Sequence, residues 1–327
     1  MLERLRKPWP DRRAELTLGA VSLLIGAVVI AMVVFVFTRA WPIFQHNGLA
    51  WVGSGNLEGE VAKMNAATSN TPPSTFQLRL WPLIYGTLLT TAIAVVLGLG
   101  IALLSSIFIV ELAPARLTKI VIPVVRLLAS VPSVIYGLIG ILVLVPFVGN
   151  HLITASEQHS TQGVVQLTGE SLAVATVILT VMITPIMIAL ICEAMYSAPS
   201  SWSEGAIALG CNPLRAVRAV TLKAIRPAIV AAAVLAAARA IGEAVMIEMV
   251  SGGKFFAPNL DHGVLVFLWE PMRTLASAIV DLREGLGSPS LQATVYTLAA
   301  LLLFSAFMLS LAGYLIKLPL RRYQTLG

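Results

Sequence analysis

Leu172–Ile191 reads LAVATVILTVMITPIMIALI, a run without a single charge, and it decides the fold class. A helix of about 20 apolar residues rises about 30 Å, the thickness of a bilayer's hydrocarbon core. Just beyond it comes Glu204–Pro227, EGAIALGCNPLRAVRAVTLKAIRP, which is basic and soluble in character, and then a second apolar run. The chain is 57% hydrophobic and 12% charged, and its mean hydropathy is +0.88, far from a soluble globular composition. Lipid leaves helices and closed barrels as the only spanning structures, and no alternating strand pattern occurs. The sequence therefore predicts an all-α integral membrane protein.

Working outward, six stretches are long enough to span: Leu16–Phe37, Pro82–Val110, Val121–Val148, Leu172–Ile191, Ala228–Val250 and Ala293–Ile316. Cations fix the expected orientation. Arg4, Arg6, Lys7, Arg12 and Arg13 share a side with Arg116, Lys119, Arg126, Arg215, Arg218, Lys223, Arg226, Lys317, Arg321 and Arg322. The opposite loops are longer and hold only Arg39, Lys63, Arg79, Lys254, Arg273 and Arg283. The positive-inside rule then predicts both termini and Glu204–Pro227 in the cytoplasm. The net charge of +6 follows from this asymmetry and suits anionic headgroups; it does not call for nucleic acid. Residues 1–15 read as a basic cytoplasmic segment and 16–327 as the membrane domain, with outer loops over 39–81 and 251–292.

Chemistry is sparse. Cys192 and Cys211 fall on the expected cytoplasmic side, where thiols stay reduced, and without clustered histidines they make no metal site. His46, His151, His159 and His262 all fall in outer loops as solvated side chains. The loop before Trp81, with its Thr71-Pro72-Pro73, reads as mostly irregular. Arg273–Leu286 has helical apolar spacing and predicts a surface helix that either receives a soluble partner or plugs the bundle. Gly252-Gly253-Lys254 lacks the rest of a phosphate loop, so no nucleotide site is expected and no cofactor is assigned to this chain. Energy must then come through a partner.

Glu204–Pro227 is the expected entry point. A short helix over about Ser201–Leu209 should end at Gly210 in a left-handed conformation. Asn212-Pro213 should start a second, amphipathic helix to about Ile225, and Pro227 should open the next span. An amphipathic loop resting on headgroups is the plainer alternative. Glu204-Gly205-Ala206, then Gly210, then Ile225-Arg226-Pro227 resembles the "EAA" loop of ATP-binding-cassette importer permeases. The resemblance implies that residues 192–227 contain a coupling helix seated on a cytoplasmic ATPase, with Glu204, Gly205, Ala206, Gly210 and Pro227 as its coupling residues. Gly205 stands where the family has alanine.

Further motifs narrow the family. Trp81–Leu88 (WPLIYGTL), Glu111–Pro114 (ELAP), Ser130–Gly137 (SVPSVIYG), Arg239–Glu243 (RAIGE) and Trp269–Leu275 (WEPMRTL) resemble the phosphate-specific transport permeases, in motif order the PstC branch more than its sister PstA. The resemblance implies a type I importer bundle (MetI-like), a PstA-like partner permease, a PstB-like ATPase dimer carrying ATP and Mg²⁺, and an extracytoplasmic PstS-like phosphate-binding protein. The chain itself would be non-catalytic. A channel or secondary transporter working alone is the competing class, although it would need coupling charges that the spans almost lack.

Arg239 and Glu243 are the exception. Arg239 lies 12 residues past Pro227, about 18 Å into the span, where an arginine costs about 2.5–3.5 kcal/mol unless it faces water or protein. Glu243 is four residues on and can pair with it. Either the two form an internal ion pair that fixes packing, or they line the substrate pathway, the guanidinium contacting a passing phosphate and Glu243 tuning it. Ala231–Gly242 is rich in small residues, which predicts a central helix.

Overall fold

The computed structural model describes residues 9–66, 72, 75–160 and 166–321. Arg4, Arg6, Lys7, Thr71, Pro73 and Arg322 lie outside the described residues. Among the described residues there is no strand, only an isolated bridge between Gly252 and Met272.

The helices in chain order are α1 (Trp9–Asn47), α2 (Leu57–Ala66), α3 (Trp81–Ile107, continuing in wider turns to Leu112) and α4 (Ala115–Ser130). Next come α5 (Ser133–Leu152), α6 (Ala155–Ser160), α7 (Leu172–Ser197), α8 (Ser200–Ala208) and α9 (Pro213–Ala224). The remainder are α10 (Arg226–Ile241), α11 (Val245–Val250), α12 (Val264–Trp269), α13 (Leu275–Leu282) and α14 (Pro289–Arg321). Among the described residues five helices, α1, α3, α5, α7 and α14, are long and apolar enough to span. Counting the pair α9–α10, bent by 68° at Ile225, as one broken span makes six. The all-α, multi-span architecture is as predicted.

α7 is the central helix. Leu179, Ile183, Met187 and Ile191 on it are completely buried, and α3 packs along it through Ala94, Gly98 and Ala102. Small residues let helix backbones approach where lipid gives no hydrophobic drive for association. A Cβ on Gly98 would sit 2.7 Å from Met187 Cε and 3.0 Å from Thr184 Oγ1, whereas one on Gly100 would meet nothing. Gly98→Leu should therefore cost about 1–3 kcal/mol or more through overpacking. Thermal unfolding in detergent checks this, with Gly100→Leu as the silent control. Two hydroxyls on α7 bond within the helix: Thr180 donates to the Thr176 carbonyl at 2.7 Å and Thr184 to the Thr180 carbonyl at 2.6 Å.

Four expectations are corrected. The third span starts at Ser133, not Val121: Pro132 breaks the helix, and Ala115–Ser130 forms the separate amphipathic α4. On α4, Arg116, Lys119 and Arg126 gather on one side and Leu117, Ile120, Val124 and Leu128 on the other, as in a helix lying in the membrane interface. The fifth span does not continue to Val250, because the helix stops at Ile241 and restarts at Val245. Its alanine-rich helix is also not the central one. α10 buries Ala232, Ala236 and Ala240 against neighbours, while Leu235, Arg239 and Gly242 are exposed on the other face. Finally, the loop before Trp81 is more ordered than its composition suggests. Leu57, Val61 and Met64 of α2 join Phe76, Leu78 and Leu80 in a second apolar cluster with Leu275, Leu282 and Leu298. Burial of that stripe supplies what glycine-rich local propensity does not.

α13 buries Leu275, Ala276, Ala278 and Leu282, so of its two readings the plug holds within this chain. Thr274 caps it through a reciprocal bond with Ser277, and the Leu275 N–H donates to Thr87 Oγ1 of α3 at 2.9 Å.

Candidate functional site: a coupling helix and a broken span

Pro199 precedes α8, and Gly210 follows it with φ +88°. The Gly210 N–H donates to the Ile207 carbonyl at 2.9 Å and the Cys211 N–H to the Ala206 carbonyl at 3.1 Å, the paired bonds of a Schellman termination. Asn212 then caps α9, its side chain accepting from the Leu214 N–H at 3.0 Å, and Pro213 fills the first helical position. α9 buries Ala216, Val217 and Thr221, and Pro227 lies in the first turn of α10.

α8 differs from every longer helix: it buries no residue at all. Glu204 and Gly205 are exposed and Ala206 is half-buried. Trp202, Ile207 and Leu209 expose 46%, 45% and 89% of their surfaces. The two turns bracketing α8 hold it off the bundle, and its connection through α9 to α10 offers a rigid route into the span.

That span is broken where its charges lie. Arg239 occupies the last turn of α10, where the helix dipole favours a cation, and it is exposed. Glu243 sits in the break, half-buried, and its Oε1 accepts from the Met246 N–H at 3.2 Å at the start of α11, where the dipole favours an anion. The expected Arg239–Glu243 pair does not form: among the described residues no ion pair joins them. The break rotates Glu243 away from the face it would share with Arg239 on a continuous helix. Nearby, the Tyr136 hydroxyl of α5 donates to the Leu128 carbonyl at 3.0 Å across the Pro132 kink. Without a carboxylate partner among the described residues, the Arg239 guanidinium is able to donate paired hydrogen bonds to an oxyanion.

The sequence reading missed a charge cluster at the other end of the bundle. Arg273, with 7% of its side chain exposed, bonds Glu248 of α11 at 2.9 Å and also pairs with Asp281 of α13. Its guanidinium lies 4.5 Å from the Phe255 ring centroid. Around it the Met272 N–H donates to the Ser251 carbonyl, the Ser171 N–H to the Val250 carbonyl and the Leu172 N–H to the Glu270 carbonyl. Glu270 is 2% exposed; burial pushes its carboxyl up from the ordinary value, against the opposing effects of the Asn259 N–H and His262. The ends of α7, α11 and α13 are thus tied in one knot.

The fold and these features define a multi-helix membrane permease. The chain matches the family model described as the binding-protein-dependent transport system inner membrane component over residues 94–318, and it belongs to that family. It is a multi-pass protein of the bacterial inner membrane. A probable ABC transporter permease, YqgH, of Bacillus subtilis is 31% identical over 78% of this chain and 76% of its own length. The phosphate transport system permease protein PstC 1 of Mycobacterium tuberculosis is 34% identical over 67% of this chain and 65% of its own. PstC of Haemophilus influenzae is 27% identical over 86% of each chain. Among solved structures, an inward-facing MetNI methionine ABC transporter chain aligns at TM-score 0.52 and 22% identity, covering 73% of this chain and 96% of its own. A bacterial alginate ABC transporter chain aligns at TM-score 0.52 and 16% identity, covering 97% of this chain and 98% of its own. These two establish the fold.

Proposed function

We propose that this chain is the membrane-spanning permease subunit of an ATP-driven, binding-protein-dependent importer of inorganic phosphate. The observation that carries the coupling is α8, a helix with no buried residue and a Schellman stop at Gly210, matched in spacing to an ATPase-docking loop. The phosphate assignment is supported by the PstC relatives, and by Arg239 exposed and unpaired beside a broken span. The cation-rich end, with α8 and both termini, faces the cytoplasm. There a PstB-like ATPase dimer, carrying ATP and Mg²⁺, receives Glu204, Gly205, Ala206 and Gly210. A PstA-like permease completes the pathway, and a PstS-like protein delivers phosphate to the outer end. This chain is non-catalytic: closure of the ATPases moves α8, Pro227 passes the movement to α10, and the spans exchange inward-open and outward-open states.

Arg239 is the pathway residue that contacts the anion. Glu243 holds the start of α11 and sets the local charge, which keeps binding weak enough for release.

The test is reconstitution with the partner subunits. ATPase activity should rise with phosphate-loaded binding protein and stay basal with sulfate or molybdate. Gly210→Val, which forces a β-branched residue to φ +88°, should reduce ATPase co-purification. Stimulation by another oxyanion in place of phosphate would reassign the substrate. Transport by this chain alone in liposomes would overturn the importer.

A further inference from the structure

Between the end of α7, the α8–α9 elbow and the start of α10 lies an open cavity of about 850 Å³. Its walls are apolar or small, including Ala194, Val220 and Ala228; Trp202 stands at its edge, and Lys223 and Arg226 line it. Both cations are exposed, and neither forms an ion pair among the described residues. No acidic side chain lines the cavity.

We propose that this cavity binds one anionic phospholipid, its phosphate held by Lys223 and Arg226 and the upper part of an acyl chain lying along the Ala194–Ala228 wall. The inference rests on the cytoplasmic placement of α8–α10 given above. Three features select the occupant. Two cations without an ion-pair partner among the described residues are free to hold an anion, and a basic recess between spans at this membrane face suits an anionic headgroup. Apolar walls and a volume within the range of organic-ligand sites exceed the needs of a bare inorganic anion. Trp202, with an apolar body and one N–H, suits the headgroup level. A lipid seated there would touch α7, α9 and α10 together, so it would brace the 68° elbow through which α8 reaches the span.

Tryptophan quenching by brominated lipid tests the site. The full chain is placed in mixed micelles with brominated phosphatidylglycerol or brominated phosphatidylcholine at low mole fraction, and the Trp202 contribution is isolated by comparison with Trp202→Phe. Phosphatidylglycerol should quench Trp202 at a lower mole fraction than phosphatidylcholine. Lys223→Gln and Arg226→Gln should each raise the fraction needed by about fivefold, and the Lys223→Arg, Arg226→Lys pair should restore it. Millimolar inorganic phosphate should not displace the lipid. Equal quenching by both lipids, or no response to the glutamine variants, would overturn the proposal. Displacement by inorganic phosphate would overturn it in favour of a free-ion site. Binding is read on this chain without transport, so lipid binding together with a reconstituted complex that moved no phosphate would count only against the importer.

Discussion

Arg239→Ala is expected to lower phosphate uptake by the reconstituted importer about tenfold to a hundredfold while leaving the complex assembled. A hydrogen bond between charged partners contributes about 1.5–3 kcal/mol, and each 1.4 kcal/mol is a factor of ten. The structure separates this loss from misfolding. Arg239 is exposed on α10 and has no carboxylate partner among the described residues, so its removal strands no buried acid there, and Ala232, Ala236 and Ala240 on the packed face are untouched. Alanine is also the best helix former. Arg239→Lys keeps the charge but loses the planar two-donor fork, and uptake should fall between the two. Glu243→Gln preserves an acceptor for the Met246 N–H while removing the charge, so any change in transport there reports the charge and not the helix cap. Uptake is measured with labelled phosphate and assembly by co-purification of the ATPase. Wild-type uptake by an assembled Arg239→Ala complex would remove Arg239 from the pathway.

What the sequence made legible was local. Gly210 before Cys211, Asn212-Pro213 and Pro227 each specify their own backbone geometry, and the structure places a left-handed residue, a cap and a helix start there. Thr180 and Thr184 likewise bond within their own helix. Ala94, Gly98 and Ala102 announce close packing by spacing alone. The errors arose where a continuous apolar pattern hides an interruption. Val121–Leu128 is apolar enough to extend a span, yet Arg126 and Pro132 confine it to a surface helix. The break at Gly242–Ala244 falls inside a run that reads as one helix, and it separates Arg239 from Glu243. Neither position is decided by propensity; a glycine inside a helical pattern costs about 1 kcal/mol and is often tolerated. The outer knot was invisible for another reason: Glu248 and Arg273 are 25 residues apart, and only the tertiary fold brings them together.

That knot gives the second large effect. Arg273→Leu is expected to destabilise the chain by about 1–3 kcal/mol, the cost of leaving a half-buried carboxylate without its cation. That carboxylate is Glu248, whose Oε1 loses its guanidinium and whose Oε2 is buried with no partner among the described residues. Asp281, with 38% of its side chain exposed, can turn to solvent and should suffer little. The double variant Arg273→Leu, Glu248→Leu should therefore recover most of the loss, because it removes both charges and leaves apolar groups of similar length. Unfolding temperature in detergent for the wild type, both single variants and the double variant gives the coupling as a cycle. Equal stability of Arg273→Leu and the wild type would show that the pair contributes nothing. A double variant no better than the single would mean that Arg273 acts through Asp281 or the Phe255 ring instead. The position of the pair sets its consequence for transport. Glu248 belongs to α11, the short helix that follows the break at Glu243, and Arg273 precedes α13, which is pinned to α3 through Thr87. Releasing α11 frees one side of the break that carries Arg239 and Glu243. In the double variant, where stability is regained but the polar tie is not, any remaining defect in uptake measures how far the pathway depends on a fixed outer end.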